Sequence, residues 1–270
     1  MMQIAERLAP RPSGGPRPDR RGRGGKRGRG ARLGLGLSLG LGLLVPAGPA
    51  AAGPWPRDRG ATFLSFGQES GRSGDWTSLY GEYGLTGTLT LGVDGGVTDA
   101  GDGIAIVFLQ SAFGAPDARH RFTASLGIGA SRSDDRVTPV MQGAGSWGFG
   151  FDAAPGPAWF ALDTKLRLIP GEGDPVVISQ SASYQEVLTP VTLAAVLKTD
   201  ATLGVATAGG NRLWIAQLQL EDSSATPLSA RLATSVVQKI AGPLRGELGL
   251  ITPLDGDSET AVKLGLWVEF

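Results

Sequence analysis

The stretch "AVKLGLWVEF", residues 261–270, alternates apolar and polar side chains and stops on a phenylalanine. Successive side chains of a β-strand point to opposite sides, so a period of two residues predicts a strand with two unlike faces. One face is apolar and comprises Val262, Leu264, Leu266, Val268 and Phe270. The other carries Lys263 and Glu269. This stretch therefore predicts a strand that separates an apolar surface from a polar one.

The same alternation recurs between clusters of Gly, Pro, Asp and Ser, and no sustained helical period follows residue 53. It predicts an all-β domain whose strands lie near 61–68, 75–84, 88–97, 103–111, 120–130, 138–149, 158–168, 194–206, 211–221, 228–238, 243–251 and 260–270. Most reach the roughly 9 to 11 residues that a tilted membrane-spanning strand needs. Soluble strands are usually nearer about 5 or 6 residues.

Residues 171–193 are the ambiguous part of this pattern. Pro175 and Pro190 bracket a stretch that is compatible with a long loop or with an additional strand. We interpret it mostly as loop, because single-chain bacterial membrane barrels have an even number of strands. The expected architecture is an antiparallel, up-and-down transmembrane β-barrel of twelve strands over residues 53–270.

Residues 1–52 have a different composition from the rest of the chain. They hold ten of the 25 basic and two of the 25 acidic residues, which leaves 15 basic and 23 acidic groups in residues 53–270. A basic region, an apolar run and small residues at Ala50 and Ala52 follow one another as in a secretory signal peptide. A nucleic-acid-binding arm would not need the apolar run. We expect cleavage after Ala52 and, since cysteine is absent, a fold without disulfides.

Alternation does not by itself say which face is buried. A soluble sandwich or lipocalin-like barrel places the apolar face inward, whereas a membrane barrel places it outward around a polar lumen. Charges of both signs and frequent glycines in mid-strand favour the membrane barrel. The residues expected to line its lumen are Glu82, Asp94, Arg121, Asp163, Lys165, Arg167, Lys198, Asp200, Arg231, Arg245, Glu247, Lys263 and Glu269.

The signal peptide, the amphipathic strands and the final strand "LGLWVEF" resemble those of bacterial outer-membrane β-barrel proteins. The phrases "SLYGEYGLTGTLTLGVDGG" and "KLGLWVEF" are similar to a group of small exported barrels. The resemblance implies insertion into a Gram-negative outer membrane, with lipid and lipopolysaccharide as surroundings. It also implies an assembly signal at Leu264, Leu266, Val268 and Phe270 that the barrel-assembly machinery reads. It implies no catalytic residue.

Signals of enzymatic chemistry are weak. His120 is the only histidine and stands between two arginines, as a solvated surface residue does, and the acidic turns do not match a calcium-binding loop. We therefore expect no catalysis, no cofactor, no metal site and no nucleic-acid partner.

The function expected first is a narrow pore or passive uptake channel for an unidentified small solute. The nearly balanced charges of the polar row are also compatible with a purely structural network of ion pairs. The alternatives are a non-conducting barrel, whose outer loops around 169–193 meet a partner, and a soluble periplasmic ligand-binding barrel.

Overall fold

The computed structural model describes residues 53–72, 74–115, 118–133, 136–172, 176–181, 184–188, 191–207, 209–224, 227–254 and 259–270. Its fourteen strands are β1 (Thr62–Gly71), β2 (Gly74–Gly84), β3 (Leu89–Thr98), β4 (Gly103–Phe113), β5 (His120–Ser133), β6 (Arg136–Ala153), β7 (Gly156–Glu172), β8 (Val176–Ser181), β9 (Tyr184–Leu188), β10 (Val191–Ala206), β11 (Arg212–Ser223), β12 (Ser229–Ala241), β13 (Leu244–Pro253) and β14 (Ala261–Glu269). The predicted signal peptide and its cleavage residues, Ala50 and Ala52, lie outside the described residues. Among the described residues, no helix is long and apolar enough to cross a membrane.

Twelve of the described strands form one closed antiparallel barrel, in which each strand pairs with its neighbours along the chain and β8 and β9 are left out. β1 closes the ring on β14, and the two ends are joined by the Thr62 N–H to Phe270 carbonyl bond of 2.6 Å and its return bond of 3.0 Å. The prediction of a twelve-stranded up-and-down barrel is confirmed, and each predicted segment corresponds to one barrel strand. Closure pairs the edges that an open sheet would expose.

Residues 171–193 differ from the sequence expectation. β7 continues to Glu172, β10 begins at Val191, and β8 and β9 pair as a separate two-stranded hairpin between them. The interpretation of this region as mostly loop is therefore wrong, although it adds no strand to the barrel wall. A separate hairpin has strand-like sequence just as the barrel wall does, so sequence periodicity does not distinguish a hairpin strand from a barrel strand.

The barrel is apolar outside and polar inside. Leu126, Ile128 and Leu248 are 77%, 73% and 61% exposed, whereas Glu82 and Gln142 are 3% and 4% exposed. The strand registers place these two groups on opposite faces of the wall. The apolar face therefore points away from the barrel axis.

The barrel has two unlike ends. The near end is where β1 begins and β14 ends, and the far end carries the β8–β9 hairpin together with the long ends of β6, β7 and β10. Outward-facing aromatic residues gather at the near end; they are Tyr83, Phe113, Phe122, Trp147, Phe149, Phe151, Phe160 and Trp214. Such rings are typical of the interface between lipid and water.

Candidate functional site: the lumen and its N-terminal plug

The residues that precede the first strand lie inside the barrel. Residues 53–58, called the plug segment below, bury Trp55 to 8% and Arg57 to 6% exposure. The side-chain amide of Gln110 on β4 donates to the carbonyl of Gly53 over 3.2 Å. On β6, two strands away in the barrel, a Cβ atom added to Gly148 would come within 2.5 Å of Pro54 and 2.7 Å of Trp55. The plug segment thus fills space that only glycine leaves open on β6.

Arg57 fixes the plug segment to the wall at the near end. Its guanidinium Nε donates to a carboxylate oxygen of Glu82, and its Nη1 lies 3.5 Å from Glu269. The guanidinium carbon also lies 4.6 Å from the centre of the Phe63 ring. Tyr80 donates its hydroxyl to the other oxygen of Glu82 over 2.6 Å. A buried carboxylate needs such partners, because an unpaired charge in this setting is costly.

An apolar cluster surrounds the plug segment in the near half of the lumen. Trp55 packs in a group of buried residues that includes Trp159, Leu213 and Val237. The Trp159 ring lies flat against Gly204 on the next strand, where an added Cβ would overlap it. Frequent glycines on the inward row therefore make room for large rings, and the near half of the lumen is packed like a protein core.

A cavity of about 240 Å³ lies beside the plug segment. Its lining is mixed: apolar side chains supply the larger part of its surface, and amides, hydroxyls and charges of both signs lie between them. The residues around it include Gly53, Tyr80, Phe108, Gln110, Gln142, Ser146, Trp159, Asp163, Lys165, Asp200, Ile215, Gln217, Glu247, Lys263 and Trp267. Such a lining suits water and small solutes that carry both polar and apolar groups.

Two groups of ion pairs lie inside the lumen. Lys165 and Arg167 on β7 reach Asp94 on β3, with nitrogen–oxygen distances of 2.7 and 3.4 Å. β3 and β7 are not neighbours in the barrel, so these contacts cross the lumen. Lys263 and Glu247, on adjacent strands, approach to 3.0 Å. Opposite charges that meet in this way neutralise one another and narrow the passage.

The thirteen charged residues that the sequence assigns to the lumen all take inward positions in the strand registers. Their contacts differ. Arg121 and Arg245 donate to the backbone carbonyls of Ala115 and Gly210, over 2.7 and 3.2 Å, and so hold near-end connections. Arg231 Nη1 lies 3.9 Å from Glu69 on β1.

Aromatic residues that the sequence left unassigned divide between the two faces. Trp76, Tyr80, Trp159 and Trp267 lie on the inward row, whereas Tyr83, Trp147 and Trp214 lie on the outward row. Trp55 belongs to neither, because it lies in the plug segment. The sequence "GPWPRDRG", residues 53–60, has no strand periodicity, so its placement inside the barrel could not be read from the pattern. The one available signal was a Trp between two prolines, followed directly by an Arg.

His120 lies at the exposed near-end start of β5. Its ring stacks on Trp147, with centroids 5.9 Å apart and planes inclined by 7°, and Nδ1 accepts from the indole N–H over 3.3 Å. These partners are aromatic rather than acidic or nucleophilic. Within the part of the chain that the structure describes, no group of three or more His, Cys, Asp or Glu could hold a metal ion.

No protein-family model and no curated protein sequence matches the chain. Among solved structures it is similar to one described as the KdgM porin, with a TM-score of 0.47 and 9% identity over 77% of this chain and 99% of that one. It is also similar to the beta domain of the Bordetella autotransporter BrkA, with a TM-score of 0.43 and 17% identity over 79% of this chain and 100% of that one. The two TM-scores are below 0.5, so no residue of this chain is matched to a functional residue of either protein.

Proposed function

We propose that this protein is an outer-membrane β-barrel of a Gram-negative bacterium and forms a narrow channel that its own plug segment closes at the near end. The single observation that carries the closed channel is the position of residues 53–58 inside a lumen that otherwise holds a cavity of mixed polarity. The channel is passive, and the proposal includes no covalent chemistry.

The distribution of polarity supports a membrane location. Large apolar side chains are exposed along the outer face of most barrel strands, and buried ionic groups line the inside. In lipid every backbone N–H and C=O must be paired within the protein, which a closed barrel achieves. A soluble ligand-binding barrel would present the opposite faces to water, so we set that alternative aside. We assign the near end, with its short connections, to the periplasmic side, where its aromatic residues suit the membrane interface.

The chemistry of the lumen supports weak selectivity. Charges of both signs lie along its walls and several of them pair with one another, as Lys165 does with Asp94 and Lys263 with Glu247. Rings of one sign would instead favour ions of the opposite sign. We therefore propose a small polar solute as the cargo, admitted only when the plug segment shifts.

Conductance across a planar bilayer tests this function. The wild-type protein should show rare, brief openings, and a Trp55→Ala, Arg57→Ala double variant should stay open much longer, because it removes the ring and the cation that hold the plug segment. Arg72→Ala is the matched control, since it removes an exposed ion pair with Glu259 far from the plug segment. Correct folding of each variant is checked by heat-modifiable migration on a gel. Correctly folded plug variants that never conduct would overturn the channel.

A second candidate is a non-conducting barrel that contacts a partner outside the cell. The observation that favours it is the far-end extension of β6, β7 and β10, with the β8–β9 hairpin above the wall. Removing residues 176–188 should abolish cell-surface binding of such a partner and leave bilayer conductance unchanged.

Assembly is proposed to follow the route that the last strand indicates. Its outward residues Leu264, Leu266, Val268 and Phe270 form the surface offered to the barrel-assembly machinery, and lipid and lipopolysaccharide then cover the same face. Phe270 is 64% exposed and remains accessible in the closed barrel.

A further inference from the structure

Two carboxylates face one another on the lumen wall beside the start of the plug segment. Asp163 on β7 is the direct register partner of Asp200 on β10, and both line the cavity. Like charges directly opposite one another on neighbouring strands are unfavourable. The pair therefore needs a cation or a proton nearby.

The wall bases nearest to this pair along the two strands are Lys165 on β7 and Lys198 on β10, which face one another two residues away. Ser146 donates a hydrogen bond to Asp163, whereas Oδ1 of Asp200 is buried without a hydrogen-bond partner. Lys165, the nearest base along β7, is held by Asp94 at 2.7 Å. Among the described residues, no Lys or Arg nitrogen forms an ion pair with either Asp163 or Asp200. Burying a carboxylate without such a partner is energetically costly, and a nearby positive charge lowers that cost.

The backbone of Gly53 lies beside the carboxylate of Asp163, one member of this pair. A Cβ atom on Gly53 would be 3.0 and 3.1 Å from the two carboxylate oxygens of Asp163. The backbone nitrogen of Gly53 is bonded, at about 1.5 Å, to the Cα atom that would carry this Cβ atom, so the nitrogen also lies close to the Asp163 carboxylate. The 3.2 Å bond from Gln110 to the Gly53 carbonyl fixes this end of the plug segment. Gly53 has a φ of 100°, which glycine adopts without strain.

Gly53 is also the residue that follows the predicted cleavage site. In an uncleaved chain its nitrogen is a neutral amide, whereas cleavage after Ala52 turns the same atom into an ammonium group. We propose, building on the outer-membrane location proposed above and on the cleavage expected after Ala52, that removal of the signal peptide creates the counter-ion of the Asp163–Asp200 pair. The new N-terminus is thereby held in the lumen by these carboxylates, so cleavage of the signal peptide itself fixes the plug segment in place.

This device explains why the plug segment is fixed at both of its ends. Arg57 holds the near end through Glu82, and the Gly53 ammonium holds the inner end through Asp163 and Asp200. Processing and closure are then coupled, because the unprocessed chain lacks one of the two charges.

Carbodiimide cross-linking of protein purified from outer membranes after expression of the full chain tests the contact. The reagent activates a carboxylate, the neighbouring amine attacks it, an amide forms, and the reagent takes up the lost water as a urea. The expected product is a peptide that joins the Gly53 amine to Asp163 or Asp200. The Lys165–Asp94 pair is an internal control, because its cross-link reports that the reagent enters the lumen.

Three results decide the proposal. N-terminal sequencing should find Gly53 first, and the Gly53 cross-link should disappear in an Asp163→Asn, Asp200→Asn double variant that keeps the Lys165–Asp94 product. A mature chain that begins at another residue would overturn it. A Lys165–Asp94 cross-link without any Gly53 cross-link in wild-type protein would overturn it as well. None of these readouts depends on conductance, so a failed channel function would be recognised separately.

Discussion

Arg57 and Glu82 form a buried ion pair that joins the chain before the first strand to the inner wall of the barrel. Their side chains are 6% and 0% exposed, so water screens them little. Glu82 also accepts a bond of 2.6 Å from Tyr80, and Arg57 lies over the Phe63 ring. The pair makes the plug segment part of the barrel core rather than a loose tail.

Replacing Glu82 with Gln should destabilise the folded barrel and release the plug segment, because Arg57 is left without its nearest carboxylate. Breaking a buried pair by removing one partner costs about 3 to 5 kcal/mol, and the remaining Glu269 contact at 3.5 Å offsets part of it. Denaturant unfolding in lipid vesicles measures the free energy, and conductance reports the release. Glu259→Gln, which removes an exposed partner of Arg72, should leave both unchanged. Equal effects of the two variants would contradict a specific role for the pair.

Removing Phe270 should impair insertion into the outer membrane while export continues. Deletion takes away both the ring and the two backbone bonds to Thr62 that close the barrel. Phe270→Ala separates these contributions, because it keeps the backbone and loses only the ring. We expect the Ala variant to reduce outer-membrane levels severalfold and Phe113→Ala, which removes another exposed near-end ring, to leave them near wild type. Normal levels of the Ala variant would show that the ring is not an assembly signal.

A charge on the outer face should be costly at mid-strand and tolerated beyond the strand ends. Leu126 lies half-way along β5 and is 77% exposed, so Leu126→Arg places a cation in the hydrocarbon and should cost about 2 to 4 kcal/mol. Leu254, just after β13, is 57% exposed, and Leu254→Arg should cost about 0 to 1 kcal/mol. Unfolding free energies in vesicles give the comparison. Equal, small costs at both sites would favour a soluble barrel.

Asp94→Asn should make the open channel prefer anions. Asp94 is the shared carboxylate of Lys165 and Arg167, and its loss leaves two cations facing the lumen. The measurement is the reversal potential under a salt gradient, made in the Trp55→Ala, Arg57→Ala background so that the channel conducts. Asp99→Asn, a change in the far-end β3–β4 turn, serves as the control. An unchanged reversal potential would place the conducting path away from these residues.

The strands were recoverable from the sequence because each repeats a local rule. In β14 the alternation of Val262, Leu264, Leu266 and Val268 with polar residues follows from the strand geometry alone, and the same rule located all twelve barrel strands. The same strand-like pattern extends along the chain beyond the residues that form the barrel wall. Residues 171–193 keep enough strand character to form a hairpin and longer ends for β7 and β10, so their local pattern resembles that of the wall.

The sequence by itself determined the number of barrel strands and the inward positions of charged residues such as Asp163 and Lys263, because side-chain direction is a property of each strand. Only the tertiary structure decided which of these charges meet and what fills the space between them. Asp94 reaches Lys165 from a strand 71 residues away, and Arg57 enters the lumen from a segment without periodicity. Closure of the ring creates an interior that no strand possesses alone. Contacts across that interior depend on distances through space, which spacing along the chain does not encode.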